Sequence, residues 1–584
     1  MYHLQKFRFG KARWFLFFAA LLSFSYCTTD LPTKPTDGTK QAIADSLMIV
    51  TSHPLAVEAG LEIYRQGGNL FDALVGVQFA LAVVYPRAGN LGGGGFAVIR
   101  TEDGSVVTQD HREIAPKAAF REMYLDSLGE VVDGLSLRGH LANGVPGTVA
   151  GLLDIYKDFG GEVDLQTVLA PAIRLAENGF LVSEVEAERL NRFQDQFRKY
   201  STRPNPFSQK KDWTVGDRLV QPKLAKVLKA IAEKGKSGFY QGWVADSIVA
   251  EMNRGGGIIT YEDLENYRPV YREPIAFDVD EFKVFSMPPP SSGGVLLQQM
   301  FHFIDEGNLC CEDGWDSESA HLLIEASRVA FALRAEHMGD PDFMKFTTDQ
   351  LTHPARLDSL WHFFDPERVG EGQLFIEKDM VLPETWETTH TSIADGKGNA
   401  VALTTTLNSN YGNKVVVGGA GFFLNNEMDD FSILPGLPNQ FGLLGSEINA
   451  VAPGKKMLSS MTPTIVDRDG ELHMVIGSPG GPTIISAVFQ VMLRDFLFDM
   501  NPYENIQKSR FHQQAFPEET RIEENAFFRE VMVELREKGH DFSEIERMAV
   551  VKMIKRTLEG KLKGAGDERN PDDHAQGTNS CCDF

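Results

Sequence analysis

A layered α/β fold, with helices on both outer faces of two stacked sheets (α on β on β on α), is what this 584-residue sequence predicts. Three observations carry that expectation. Two helical patterns stand near residues 54–85, short strands joined by Asp/Gly turns recur in the last third, and a further apolar helix follows the last of those strands. Length by itself leaves open one large unit or several domains.

The first helix is expected from Pro54 to Gln66, where Val57, Leu61 and Tyr64 fall at helical spacing and Gly67-Gly68 ends the run. Asn69 can cap a second, Leu70 to Tyr85, which is apolar nearly all round and stops at Pro86, the pattern of a helix buried between layers. Gly92 to Gly95 lead into a strand at Phe96 to Ile99, and Asp103-Gly104 turns it into Val106 to Thr108, a hairpin ending near Arg112. Helical patterns dominate from Leu141 to about Leu360, broken by the turn-rich Pro288 to Gly294 (PPPSSGG). Strands are expected at Thr389 to Ala394 and Asn399 to Thr406, and again at Thr464 to Asp467 and Glu471 to Gly477, before a helix that begins near Pro482 and runs into Phe498. The polar, glycine-rich tail from Gly564 to Gly577 is expected to be irregular.

Hydrophobic residues at 42% and charged residues at 24% suffice for a large core. A formal net charge of -24 with no Lys/Arg-rich run argues against nucleic acid, and an anionic substrate would need a local cation. Lys6, Arg8, Lys11 and Arg13 precede an apolar stretch, Trp14 to Tyr26, that is short for a membrane span and reads as an export signal over residues 1–27. Cys27 resembles the lipidated cysteine of bacterial lipoproteins, although Tyr26 replaces the usual small residue; the other reading is an ordinary cleaved signal. Residues 28–44 would then be a flexible tether, and the chain would reside in the periplasm or on the outer membrane. The pairs Cys310-Cys311 and Cys581-Cys582 permit disulfides of unspecified connectivity and lack zinc-ligand spacing. There is no HExxH, no P-loop and no dinucleotide fingerprint, and Asp467-Arg468-Asp469-Gly470 lacks the downstream ligands of a calcium loop, so neither metal nor cofactor is expected.

The chemistry concentrates around Thr388, where Glu387-Thr388-Thr389-His390-Thr391-Ser392 opens a strand with several hydroxyls, any of which could be a nucleophile. In the partner strand Thr404, Thr406 and Asn408 share parity and hence a face. Gly480-Gly481 stands between a strand and a helix, where bare backbone can aim N–H groups at developing negative charge.

These segments together resemble the gamma-glutamyltransferase family. The resemblance runs through GGGGF at 92–96, Arg112-Glu113-Ile114-Ala115-Pro116, PPPSSGG, the TTHxS opening at Thr388, Thr404 to Asn408, Leu424 to Phe431, Leu458 to Met461 and Gly477 to Gly481. It covers nearly everything after about residue 45 and implies an N-terminal-nucleophile hydrolase that cuts itself at Glu387-Thr388. The products would be a large piece, 45–387, and a small catalytic piece, 388–584, held together as a heterodimer. Cleavage would free the Thr388 α-amine, whose ordinary pKa of roughly 8 suits a base, so nucleophile and base share one residue. By the same resemblance Thr406 orients Thr388, Gly480 and Gly481 form the oxyanion hole, and Asn408 touches the substrate. Arg112, with Ser459 and Ser460, would take the α-carboxylate, while Asp430, with Glu427 beside it, takes the ammonium group. A lid, Pro435 to Lys455, would cap the pocket with Phe441. Glutathione is the expected donor, and water or an acceptor amino acid or peptide would resolve the acyl-enzyme. The alternatives are a cephalosporin (glutaryl) acylase or polyglutamate-processing amidase on the same scaffold, and an unprocessed binding lipoprotein.

Overall fold

The computed structural model describes residues 39–304, 309–310, 312, 314–370 and 388–579. The export signal, Cys27, Cys311, Glu387, Cys581 and Cys582 lie outside the described residues. Fourteen of the strands form two seven-stranded sheets. They are, in chain order, β1 (Gln41–Ala44), β2 (Leu47–Thr51), β3 (Gly94–Arg100), β4 (Val106–Asp110), β5 (Val270–Arg272), β6 (Ile275–Val279), β7 (Phe282–Ser286), β8 (Thr388–Asp395), β9 (Ala400–Thr406), β10 (Thr464–Arg468), β11 (Glu471–Gly477), β12 (Lys552–Arg556), β13 (Leu562–Gly566) and β14 (His574–Thr578).

The strand order of one sheet is β14-β2-β8-β9-β3-β4-β5, and of the other β1-β13-β12-β11-β10-β7-β6. All these pairings are antiparallel. Both sheets therefore combine strands from before and after position 388: β8 pairs with β2 on one side, and β9 pairs with β3.

Period-two side-chain alternation explains the layers. Met48, Val50, Ala394, Ala400 and Ala402 point between the sheets, where they meet Ile465, Val475 and Ile554. Their neighbours Ile49, Ile393, Val401 and Leu403 point the other way, onto the helices α1 (Pro54–Arg65) and α2 (Leu70–Val84). The expected Asn69 cap is found, as a capping box with Asn69 accepting from Asp72 N–H and Asp72 from Asn69 N–H, and every residue of α2 is buried. Across the molecule α3 (Gly293–Phe303), α4 (Ser317–His337) and α5 (Thr483–Phe498) cover the other sheet. The αββα expectation is met.

Three expectations need correction. Residues Gln41–Ala44, assigned to a tether, are β1 and pair with β13. The region 141–360 is not helical throughout, since β5, β6 and β7 interrupt it; their short, alternating patterns hide among longer helical ones. The tail is not irregular throughout either, because β13 and β14 take up half of it. Its glycines serve close packing rather than turning: a Cβ on Gly564 would lie 2.5 Å from Met48 Sδ, and one on Gly577 2.4 Å from Ala44 Cβ. Cys310 is disulfide-bonded.

Candidate active site

Strand β8 begins at Thr388, and its register with β9 sets Thr388 opposite Thr406, Thr389 opposite Thr405 and His390 opposite Thr404. Alternation then sorts the hydroxyl cluster. Thr389 and Thr391 face α2 and β2, where Thr389 Oγ1 lies 2.7 Å from Ser52 Oγ and Thr391 Oγ1 accepts from Gln78 Nε2 at 2.8 Å. His390 and Ser392 face the other sheet: His390 Nδ1 meets Thr404 Oγ1 at 2.8 Å, and Ser392 Oγ donates to the Lys552 carbonyl at 3.1 Å. Burial holds the His390 imidazole well below its ordinary pKa, hence neutral. Thr388 lines two adjoining cavities, and the other residues of this cluster line neither. Its Oγ1 lies 3.4 Å from Thr406 Oγ1, which itself accepts the Asn408 N–H at 2.8 Å.

Thr406 can sit so close to the glycine run because Gly93 has no side chain; a Cβ there would be 2.0 Å from the Thr406 carbonyl oxygen. Asn408 departs from strand parity at φ 72°, yet it still enters the site. Its Nδ2 donates to the Asn426 carbonyl at 3.0 Å, and its side chain also bonds the Asp430 carboxylate.

A cavity of ≈ 350 Å³ gathers Thr388, Thr406, Asn408, Arg112, Glu427, Asp430, Ser459, Ser460 and Gly481. Gly480 lies in the wall of an adjoining cleft that also contains Thr388. Every site residue expected from sequence is thus brought to one place. Gly480 and Gly481 hold φ 140° and 56°, values that favour glycine, and Thr483 N–H donates to the Gly480 carbonyl at 3.2 Å where α5 begins. Neither glycine N–H donates to a protein acceptor among the described residues.

Arg112 differs from the simple expectation of a cation waiting for a carboxylate. Its Nη1 contacts Glu427 Oε1 at 2.7 Å, its Nη2 is paired with Asp430 Oδ2, and Glu113 Oε2 stands 3.7 Å away. Burial alone would lower the guanidinium pKa, but Glu427, Asp430 and Glu113 raise it on balance. Burial likewise pushes all three carboxylates upward against the pull of Arg112. Glu427 Oε2 and both Glu113 oxygens are buried without a hydrogen-bond partner among the described residues. Glu113 and Glu427 thus keep three buried oxygens unpartnered among the described residues beside the ion pair that Arg112 makes with Asp430. A bound ammonium group would supply the donors they lack.

Sequence reasoning missed Arg334. It projects from α4 into the same cavity, with Nε donating to Ser292 Oγ at 3.0 Å and Nη2 to Ser460 Oγ at 3.3 Å. Burial pulls its pKa down to about 10, with Asp430 opposing that and Arg112 adding to it, so it remains charged at neutral pH. A lone arginine in an apolar helical stretch, Ala330-Phe331-Ala332-Leu333-Arg334, was the available signal. The PPPSSGG segment now has a purpose as well: Ser292 N–H donates to the Ser459 carbonyl at 2.8 Å and Ser459 N–H to the Pro290 carbonyl at 2.8 Å. That ladder fixes the Ser459-Ser460 turn.

Phe441 lines the cavity as expected, and a Cβ on Gly481 would be 3.1 Å from its ring. The lid is tied down where Gln514 Nε2 donates to the Phe441 carbonyl at 3.1 Å and where Ser409 Oγ meets Gln440 Oε1 at 2.9 Å. Outside the cavity, His321, Glu325 and His540 bring ligand-type atoms within 4.8 Å of one another. There the two imidazoles hydrogen bond at 2.7 Å and Glu325 is taken by Arg328 and the Gly370 N–H, while His540 Nδ1 is buried without a hydrogen-bond partner among the described residues.

Comparison with known proteins agrees with this arrangement. The family profile described as Gamma-glutamyltranspeptidase matches residues 56–577. The glutathione hydrolase proenzyme of Escherichia coli (strain K12) is 40% identical over 532 residues, 91% of each chain. Among solved structures, cephalosporin acylase from Bacillus halodurans superposes with a TM-score of 0.79 at 25% identity, covering 94% of this chain and 98% of that one. Helicobacter pylori gamma-glutamyltranspeptidase reaches 0.53 at 41% identity, covering 59% of this chain and all of that chain.

Proposed function

The chain belongs to the gamma-glutamyltranspeptidase family, and from that premise we propose that Thr388 is the nucleophile of a gamma-glutamyltransferase and glutathione hydrolase. The observation that carries this reading is the meeting of Thr388 with a two-signed clamp: a hydroxyl paired with Thr406 opens into the cavity that holds Arg112, Arg334, Glu427 and Asp430. A γ-glutamyl donor carries a zwitterionic α-carbon at one end and the scissile amide at the other. The clamp reads the first and leaves the second at Thr388.

Binding is an exchange of ion pairs. The substrate ammonium displaces Arg112 from Asp430 and meets the unpartnered Glu427 Oε2, and the α-carboxylate takes the released guanidinium. Ser459, Ser460 and Arg334 close around that carboxylate. Buried charge is conserved, so desolvation costs less than bringing in a lone ion.

Self-cleavage comes first. Thr388 Oγ1 attacks the Glu387 carbonyl, the peptide becomes an ester, and water hydrolyses it, leaving a free α-amine on Thr388. The "proenzyme" in the E. coli relative's name supports such a step. The amine then takes the Thr388 hydroxyl proton as Oγ1 attacks the γ-carbonyl, and the Gly480 and Gly481 N–H groups stabilise the oxyanion. The departing amine receives that proton. Water or an acceptor amine releases the glutamyl group.

The closeness in shape to a cephalosporin acylase does not decide between the amidases; the three clamp carboxylates do, because a donor without an α-amine leaves them uncompensated. The apolar stretch Trp14 to Tyr26 behind four basic residues supports export, and Cys27 supports a lipid anchor. The decisive experiment is N-terminal sequencing of the smaller fragment of purified protein. A start at Thr388 is expected, and a chain still continuous through 388 that nonetheless consumes glutathione refutes the mechanism.

A further inference from the structure

Away from the clamp, three ligand-type side chains converge where segments from either side of position 388 meet. His321 and Glu325 stand one turn apart on α4 and share a face, while His540 follows the helix Arg529–Glu537. Only 1%, 4% and 2% of these three residues is exposed, and their ligand atoms lie within 4.8 Å of one another. His321 Nδ1 meets His540 Nε2 at 2.7 Å, across 219 positions of sequence. Two of the ligands are held from behind. His321 Nε2 donates to the Asp365 carbonyl at 2.8 Å, Glu325 Oε1 accepts from Arg328 Nε at 3.0 Å, and Glu325 Oε2 accepts from the Gly370 N–H at 3.0 Å. Phe364 packs on the His321 ring at 5.3 Å and Phe542 on the His540 ring at 6.1 Å. Supporting hydrogen bonds and an apolar surround are what orient metal-binding imidazoles and carboxylates.

We propose that His321 Nδ1, His540 Nε2 and the Glu325 carboxylate bind a zinc ion that ties α4 to the segment carrying His540. A carbonyl oxygen can only accept, so His321 carries its proton on Nε2 and presents Nδ1 as a lone pair. His540 Nε2 must then donate in the metal-free protein. Its Nδ1, buried without a partner among the described residues, takes that proton when zinc takes Nε2, so the exchange of tautomers releases none. Parting the two nitrogens by roughly half an ångström seats the ion about 2.0–2.1 Å from each, with a carboxylate oxygen as third ligand and water as fourth. Burial holds both imidazoles below their ordinary pKa, His540 at about 3; Arg328 and Lys538 push the same way, with Glu325 opposing at His321. Both are therefore neutral ligands at pH 7. Two neighbouring cations and a single carboxylate disfavour calcium or magnesium, which take several oxygens, whereas paired imidazoles suit zinc. No motif announces the site, because one ligand arrives across the fold. If the chain is cut ahead of Thr388 as proposed, the ion joins the two pieces.

The test is a calorimetric titration of the full, tag-free protein with zinc chloride after it has been stripped by a chelator and dialysed. One zinc per molecule is expected, with a Kd of about 1 μM or below. H321Q and H540Q should each weaken binding by at least about 100-fold, beyond the loss that a merely supporting group causes. H302Q, which removes a histidine paired with Asp358 outside the cluster, should leave it unchanged. Zinc should also raise the Tm of the unmodified protein and not that of H540Q. An unmodified protein that takes up no zinc, or an H540Q protein that keeps full affinity, overturns the site; bound zinc without a rise in Tm overturns the tie. Circular dichroism and nitroaniline release from γ-glutamyl-p-nitroanilide report whether the variants fold. Should they not, Co²⁺ in the unmodified protein decides: intense visible bands of a four-coordinate ion support the site, and the weak bands of a six-coordinate one sink it.

Discussion

The two cavities that share Thr388 are built on opposite principles. The clamp is buried, carries both signs of charge and is already internally paired, so that Arg112 lies against Glu427 and Asp430 before any ligand arrives. The adjoining cleft is lined by charge of one sign, Arg87, Arg189 and Arg547, and the last two are half-exposed. A preformed, desolvated ion-pair network discriminates steeply, because a ligand lacking one charge leaves a buried partner bare. A half-solvated cationic wall discriminates gently. The clamp should therefore be strict and the cleft tolerant of what enters it.

The comparison breaks first at its hinge. Thr388→Ala is expected to leave one uncut chain and to lower activity by at least about 10³-fold, read by gel and by nitroaniline release. A normally cut variant would move the nucleophile elsewhere, although Thr389, engaged by Ser52 and outside both cavities, is poorly placed to inherit the role. Next comes the clamp. Asp430→Ala should lower kcat/KM for γ-glutamyl-p-nitroanilide by about 10²–10³-fold, the scale of breaking a buried pair, with far less effect on the glutaryl anilide that lacks the amine. Equal losses on both donors would remove the ammonium role and revive the acylase alternative.

Arg334→Gln is expected to raise donor KM about tenfold with kcat little changed, since it braces Ser460 and adds charge near the carboxylate without touching the scissile bond. A fall in kcat alone would place it in the chemical step instead. The smallest effect concerns Asp429, which supports the lid through the Gln440 N–H at 3.3 Å and accepts from Ser136 Oγ at 2.6 Å. Burial, opposed by Ser136 and aided by Asp430, lifts its pKa from 3.8 to about 6. A carboxyl raised on folding contributes stability that is complete below its unfolded pKa and lost as pH rises through about 6. Asp429→Asn should therefore gain on the native protein across that interval, by on the order of 2 kcal/mol in denaturant titrations; parallel pH profiles would count against it.

Much of this was legible in sequence, for identifiable reasons. Helix α2 and the hairpins β8–β9 and β10–β11 announce themselves because burial on one face or all round leaves a local pattern, and because Asp-Gly turns need particular backbone angles. The tail misled for the converse reason: glycines at 564 and 577 answer to Met48 and Ala44, more than 500 positions away, and no local pattern records that. The clamp residues were found as a set through the family resemblance. Arg334 was not, since what holds it in the cavity is its contact with Ser292 and Ser460, residues brought together only by packing. The sequence also assigns Arg112 to a substrate carboxylate without showing that the fold gives it three acidic companions.

Strand β8 is flanked by β2 on one edge and β9 on the other, and β9 in turn by β3. If the backbone is severed ahead of Thr388 as proposed, the halves are interleaved like the fingers of folded hands, yet nothing covalent at that point records how they were threaded. Heat or urea should therefore undo the working enzyme in one direction, while the uncut precursor can renature. Its durability is then a matter of how slowly it comes apart, and production in a cell must complete the weave before the cut.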